Sequence, residues 1–217
     1  AMKLMFIDVR KAHLNAYCDK DHMYVQLPPE SGAAPGMCGK LKRWLYGMRG
    51  AAQGWETEFG EKLKSIGFTR GKSTPVVFYR ERDEMRLVVH GDDFTFLGYP
   101  GALEEVLRQM REWWDVKLRA VVGDGSSDDK EVKILNRTLR WDGRGLTLKA
   151  DGKHVGEILK DFNLTRESRG ITIPVDQEEA VGDDDSELLA GADITRFRAL
   201  AARGNYLGQD RCDIQNT

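Results

Sequence analysis

Cysteine is scarce in this chain. Cys18, Cys38 and Cys212 make an odd number with no Cys-x-x-Cys spacing, which argues against a disulfide scaffold and fits a reducing compartment. Long apolar runs are missing as well. None reaches the roughly 18–20 residues of a membrane span. Leu4-Met5-Phe6-Ile7 is too short for a signal peptide, and Asp8 interrupts it. There are no internal repeats. The glycine-rich stretch from Gly32 to Gly39 lacks the Gly-Lys-Ser/Thr ending of a phosphate loop. His13, Cys18, His22 and Cys38 offer soft ligands, but their spacing fits no standard zinc pattern. Net charge is also small, at −2.

The 217 residues suffice for one large domain or two small ones, and 41% hydrophobic against 31% charged residues is an ordinary globular balance. The charge is unevenly spread. Residues 1–82 hold 14 Lys+Arg against 8 Asp+Glu, whereas residues 83–217 hold 19 against 27. A basic half of this kind is able to lie on a polyanion; a solvated surface explains it equally well.

Lys3–Val9 reads as a buried strand with no cap or leader before it, as expected of a piece of a longer protein. Residues 27–39 read as a loop from their Pro and Gly content. Trp55, Phe59 and Leu63 recur every four residues, which predicts a helix over 51–66 ended by Gly67. Strands are predicted at 76–79, 87–89 and 94–97, and an amphipathic helix from Leu103 to Trp114, with Trp113-Trp114 in the core. A flexible loop at 123–130 leads to a predicted hairpin over 132–149, turning at Asp142-Gly143-Arg144-Gly145. Short helices are expected over 155–162 and 194–207, flanking an acidic connector at 176–187. Strands and helices alternate without a strict βαβ rhythm, so the expected class is α+β.

Asp92-Asp93 is the most informative pair. It sits between two apolar strand runs, Leu87-Val88-Val89 and Phe94-Thr95-Phe96-Leu97. The flanks read as apolar on both faces, which places the hairpin at the centre of a sheet. A polar turn is the plain explanation. Asp8, however, interrupts another apolar strand in the same way. If that strand lies beside the hairpin, three carboxylates converge, and like charges so close need a compensating cation. Mg²⁺ prefers such oxygens, and two ions about 3.5–4 Å apart serve in-line displacement at phosphorus.

Four ordered blocks carry a family resemblance. Asp8-Val9-Arg10-Lys11-Ala12-His13-Leu14-Asn15 is similar to an Asp-Val-Lys-Thr-Ala-Phe-Leu-Asn string. Met23-Tyr24-Val25-Gln26-Leu27-Pro28-Pro29 is similar to Val-Tyr-Met-x-x-Pro-Pro. Lys40-Leu41-Lys42-Arg43-Trp44-Leu45-Tyr46-Gly47-Met48-Arg49, continuing to Trp55, follows a Lys-Leu-x-x-x-Leu-Tyr-Gly-Leu-Lys block. His90-Gly91-Asp92-Asp93 stands in place of a Tyr-Val-Asp-Asp turn. Phe197-Arg198-Ala199-Leu200, Tyr206-Leu207 and Arg211-Cys212-Asp213-Ile214 resemble the stretch leading toward a connection and RNase H region. Together they resemble the reverse transcriptase of copia-type long-terminal-repeat retrotransposons.

The resemblance implies an RNA-directed DNA polymerase with a right-hand palm and partial fingers and thumb. Residues 1–122 would be palm with part of the fingers, 123–175 a primer-gripping hairpin and the start of the thumb, and 176–217 a connector and terminal helix. Asp8, Asp92 and Asp93 would be catalytic and, with the carbonyl of Val9, would hold two Mg²⁺, for which Mn²⁺ substitutes. His13 would stand under the sugar as the gate, where the family has an aromatic residue. Lys40, Lys42, Arg43, Gly47 and Arg49 would line the nucleic acid. Lys117 falls near the pyrophosphate in a loose alignment; a plain surface lysine is the alternative. The implied partners are an RNA or DNA template with its primer, deoxynucleoside triphosphates, and the rest of a polyprotein carrying integrase and RNase H. No membrane is implied. The implied location is a cytoplasmic virus-like particle, with nuclear entry. Without the upstream fingers the chain alone is expected to be inactive or nearly so. A degenerate palm that binds nucleic acid without polymerising, and an unrelated Mg²⁺-dependent phosphotransferase, are the competing readings.

Overall fold

The computed structural model describes residues 1–18, 22–150, 152–165, 167–170, 188–209 and 211. In chain order the elements are β1 (Lys3–Val9), α1 (Ala12–Asn15), β2 (Tyr24–Gln26), β3 (Cys38–Lys40), α2 (Ala51–Ser65), β4 (Thr69–Arg70), β5 (Val77–Arg80), β6 (Met85–His90), β7 (Asp93–Gly98), α3 (Pro100–Trp113), β8 (Val116–Val122), β9 (Glu131–Ile134), β10 (Arg137–Trp141), β11 (Leu146–Lys149), α4 (Gly152–Asp161) and α5 (Ala192–Gly208). They form two compact units, residues 1–132 and 133–217.

A six-stranded sheet in the order β4-β5-β6-β7-β1-β8 organises the first unit, with antiparallel pairing throughout. The fold is therefore a mixture of helices and antiparallel strands, as expected. Period-two alternation sends Met5, Ile7 and Val9, then Met85, Leu87 and Val89, then Phe94 and Phe96 into one core. The same core takes Trp55, Phe59 and Leu63 from α2, and Leu103, Val106 and Met110 from α3. The spacings of three and four put each trio on one helix face. Trp114 is buried and meets Trp55 edge-on with ring centroids 4.9 Å apart.

The β6–β7 hairpin is central to the sheet, but the sheet is not buried on both faces. Arg86, Val88 and His90 are exposed between the buried residues of β6, and Asp93, Thr95 and Leu97 are half-buried in β7. An antiparallel sheet packed on one side can open the other to solvent, and β6 alternates accordingly; on β1 the same face is closed at Phe6, which is buried. Asp8 and Asp93 lie on that open face.

Two further elements differ from expectation. Residues 27–39 are not loop throughout: β3 begins at Cys38 and pairs with β2, matching Tyr24 to Lys40 and Gln26 to Cys38. The hairpin expected over 132–149 is a three-stranded sheet, β11-β10-β9. The extra turn is Leu135-Asn136, both at positive φ (44° and 60°). Leucine there gives no turn signal, because glycine or asparagine normally takes such positions. The expected turn at 142–145 does form, with Asp142 Oδ1 accepting the Arg144 and Gly145 N–H groups at 2.9 and 3.0 Å. The acidic connector at 176–187, and Cys212, Asp213 and Ile214, lie outside the described residues.

Candidate functional site

The site is built on three adjacent strands. Asp8 on β1 is the register partner of Asp93 on β7, so both carboxylates leave the same sheet face. The Val9 N–H donates to the Asp92 carbonyl at 2.9 Å, which makes Val9 and Asp92 a hydrogen-bonded pair. Asp8 and Asp93 then form the alternate pair type, in which opposing side chains come closest. Like charges placed so destabilise a sheet unless something answers them.

Arg119 answers them. Its Nη2 lies 2.9 Å from Asp8 Oδ1 and 3.5 Å from Asp93 Oδ1. The strand pairing shows how it gets there. Ile7 pairs with Leu118 and Phe6 with Ala120, so Arg119 is the unpaired extra residue of a β-bulge. A bulge bends its strand and re-aims a side chain. Lys117 is the direct register partner of Asp8 and is exposed.

Burial pushes the Asp93 carboxyl above its ordinary range; Arg119 pulls it back down, while Asp92 and Asp8 push it up. The Arg119 guanidinium is held more firmly protonated, first by its hydrogen bond to Asp8.

The turn itself is anchored from below. Gly91 has φ +63°, and Asp92 does not share that sign, which is the pattern of a type II′ hairpin turn with glycine at its first central position. The Gly91 carbonyl accepts the Trp55 indole N–H at 2.8 Å. Phe94 sits edge-on to Trp55 and Phe59, with centroids 6.3 and 5.5 Å apart. A helix of the core thus fixes the turn that carries Asp92.

Asp92 is exposed on that turn. Among the described residues, no three His, Cys, Asp or Glu side chains are gathered closely enough to hold a metal ion. Two of the three expected acids meet; the third stands beside them.

The family model described as reverse transcriptase (RNA-dependent DNA polymerase) matches residues 2–177. The chain belongs to that family. No curated protein matches it. Reverse transcriptases use divalent-metal chemistry on a nucleic-acid template and primer with deoxynucleotides. Asp8, Val9, Asp92 and Asp93 all fall inside the matched span.

The other expected site residues lie in the segment after β1. His13 is in α1, its ring tilted against Tyr46 with centroids 4.5 Å apart, and its buried Nδ1 has no hydrogen-bond partner. Asn15 steadies α1 by donating to the Arg10 and Lys11 carbonyls, both at 3.3 Å. The backbone N–H of Trp44 donates to the Ala16 carbonyl at 3.1 Å, and that of Cys18 to the Lys42 carbonyl at 3.1 Å, which ties the basic segment to the chain leaving β1. Arg43 donates to the Asn15 carbonyl and lies 3.6 Å over the Tyr17 ring. Its fork has further N–H groups to offer. Lys40, Lys42, Gly47 and Arg49 are exposed, and Gly47 has φ +83°. Trp44 seats on Gly50 and Gly54, where an added Cβ would come within 2.4 and 2.3 Å of its ring. That explains glycine at both positions of α2 and its approach.

Sequence reasoning missed Arg119 and the Trp55–Gly91 bond. A bulge leaves no period-two signature, and a single arginine in an apolar strand reads as a surface residue. Among the described residues, no helix is long and apolar enough to cross a membrane.

Proposed function

We propose that the chain is the polymerase region of a copia-type retrotransposon, an RNA-directed DNA polymerase that joins a deoxynucleotide to a primer 3′-hydroxyl. The observation that carries this reading is the Asp8–Asp93 pair on the open face of the sheet, next to the Asp92 turn, in a chain of the reverse transcriptase family. Residues 1–122 act as palm with part of the fingers, 123–175 as primer-gripping strands and the start of the thumb, and 176–217 as a connector. The partners are template, primer, deoxynucleoside triphosphates and the remaining polyprotein with integrase and RNase H. The setting is a cytoplasmic virus-like particle, with nuclear entry.

The donor set suits Mg²⁺, since every side chain in it offers a hard carboxylate oxygen. A cationic group already spans two of those carboxylates, so positive charge is favoured at that place. Asp8, Asp92, Asp93 and the Val9 carbonyl are the groups that would hold two ions, with Mn²⁺ a substitute. When bound, such ions activate the attacking hydroxyl and steady the leaving pyrophosphate. The chain's own contribution is placement. The β1–β7 ladder fixes Asp8 and Asp93 opposite each other, and Trp55 holds the turn. His13 stands under the sugar, where its ring limits the room for a ribose 2′-hydroxyl. Lys40, Lys42, Arg43 and Arg49, with the Gly47 backbone, lie along the nucleic-acid phosphates.

The test is single-nucleotide extension of a DNA primer on an RNA template with Mg²⁺, comparing the chain with Asp8→Asn. Slow, template-directed extension is expected, falling to background with the substitution. Extension that survives Asp8→Asn contradicts the assignment. The second reading is a palm that binds nucleic acid without polymerising. It is favoured by the guanidinium spanning two of the acids and is supported if the hybrid binds but is never extended.

A further inference from the structure

We propose that Arg119 is a built-in counter-ion that competes with a divalent cation for Asp8 and Asp93, so that loading the site requires its guanidinium to leave. This rests on the proposed function for the metal itself, but the role of Arg119 comes from geometry alone.

Three observations carry it. One guanidinium nitrogen lies 2.9 Å from Asp8 and 3.5 Å from Asp93, so a single cationic group reaches both acids. It is the extra residue of the bulge between β1 and β8, and a bulge is where a side chain is steered out of the regular ladder. Its side chain is 38% exposed, so it has solvent to swing into, whereas a buried guanidinium would have nowhere to go. A carboxylate pair facing a partly exposed monovalent cation forms an exchangeable site. Without metal the arginine offsets the repulsion between the acids. With metal, the same oxygens bind a doubly charged ion, and the arginine becomes available to a negatively charged group nearby.

Lys117 supplies the control. It carries the same charge, lies opposite Asp8 on the strand that also holds Arg119, and is exposed. If proximity of positive charge alone weakened metal binding, Lys117→Gln and Arg119→Gln would act alike. A competitor bonded to the ligand oxygens has a larger effect than a neighbour.

The experiment is a Mn²⁺ titration of the full chain followed by electron paramagnetic resonance, with Arg119→Gln, Lys117→Gln and Asp8→Asn. Losing a charge-assisted bond to the ligands is expected to tighten Mn²⁺ about tenfold in Arg119→Gln. Lys117→Gln is expected to stay within about twofold, since screened surface charges contribute little, and Asp8→Asn to lose the site. Thermal unfolding gives a second readout: Arg119→Gln melts lower than the parent without divalent ions and gains more from added Mn²⁺. Should Arg119→Gln fail to fold, Arg119→Lys, which keeps the charge but not the fork, is expected to tighten Mn²⁺ in the same direction by less. Equal affinities for the parent and the Arg119 variants overturn the competition. Equal tightening by Lys117→Gln reduces it to general electrostatics and overturns it too. Absence of Mn²⁺ binding in every variant instead removes the metal reading on which it rests.

Discussion

At the scale of residues, Asp93 is the group most out of balance. Its carboxyl titrates above the ordinary 3.8, chiefly because it is partly buried. Between that value and the raised one, the folded chain holds a proton that the unfolded chain has released. Stability therefore falls as pH rises through this window, and at neutral pH the charged Asp93 weighs against the metal-free fold. Asp93→Asn is expected to stabilise the protein at pH 7 without divalent ions, with the gain shrinking toward pH 4. Urea melts at the two values check this. A less stable Asp93→Asn at pH 7 would mean that the Arg119 contact outweighs burial. Asp8, Asp92 and Asp93 were legible in the sequence because charge interrupting apolar strand runs demands a reason. Arg119 was not legible: its position depends on a one-residue slip between β1 and β8, and period-two patterns do not record such slips. His13 was visible in the sequence as a departure from the aromatic residue of the similar string, but its packing against Tyr46 was not.

At the scale of elements, the β6–β7 hairpin and α2 form one device. The alternation of β6 and the four-residue spacing of Trp55, Phe59 and Leu63 made both elements readable. What joins them is the Trp55 indole bond to the Gly91 carbonyl, a contact across 36 positions that no local pattern announces. Trp55→Phe keeps an aromatic ring in the core but deletes that donor and some volume. It is expected to lower the unfolding free energy by about 1–3 kcal/mol in denaturant, with an unchanged slope. No change would show that the turn holds itself. The reading of the hairpin as apolar on both faces failed because Val88 and Leu97 count as apolar in sequence, yet Val88 stands on the exposed face at 47%. An isolated valine on a surface is ordinary. The third strand of the β9–β11 sheet was missed for a similar reason: Leu135-Asn136 turns without glycine.

At the scale of the whole molecule, the basic excess of residues 1–82 and the acidic excess of residues 83–217 nearly cancel, so net charge says little and distribution says more. The basic segment at 40–49 is tied by backbone bonds to Ala16 and Cys18, on the chain that follows β1. The family match, residues 2–177, covers all of the first unit but Ala1 and reaches into the second. The proposed function turns on the Asp8–Asp93 pair taking a divalent ion. The most direct measurement is anomalous diffraction from crystals of the chain soaked in saturating Mn²⁺. An anomalous peak is expected about 2.0–2.2 Å from carboxylate oxygens of both Asp8 and Asp93, with the Arg119 guanidinium moved off them. Crystals that show Arg119 still spanning the two acids and no peak between them would contradict it.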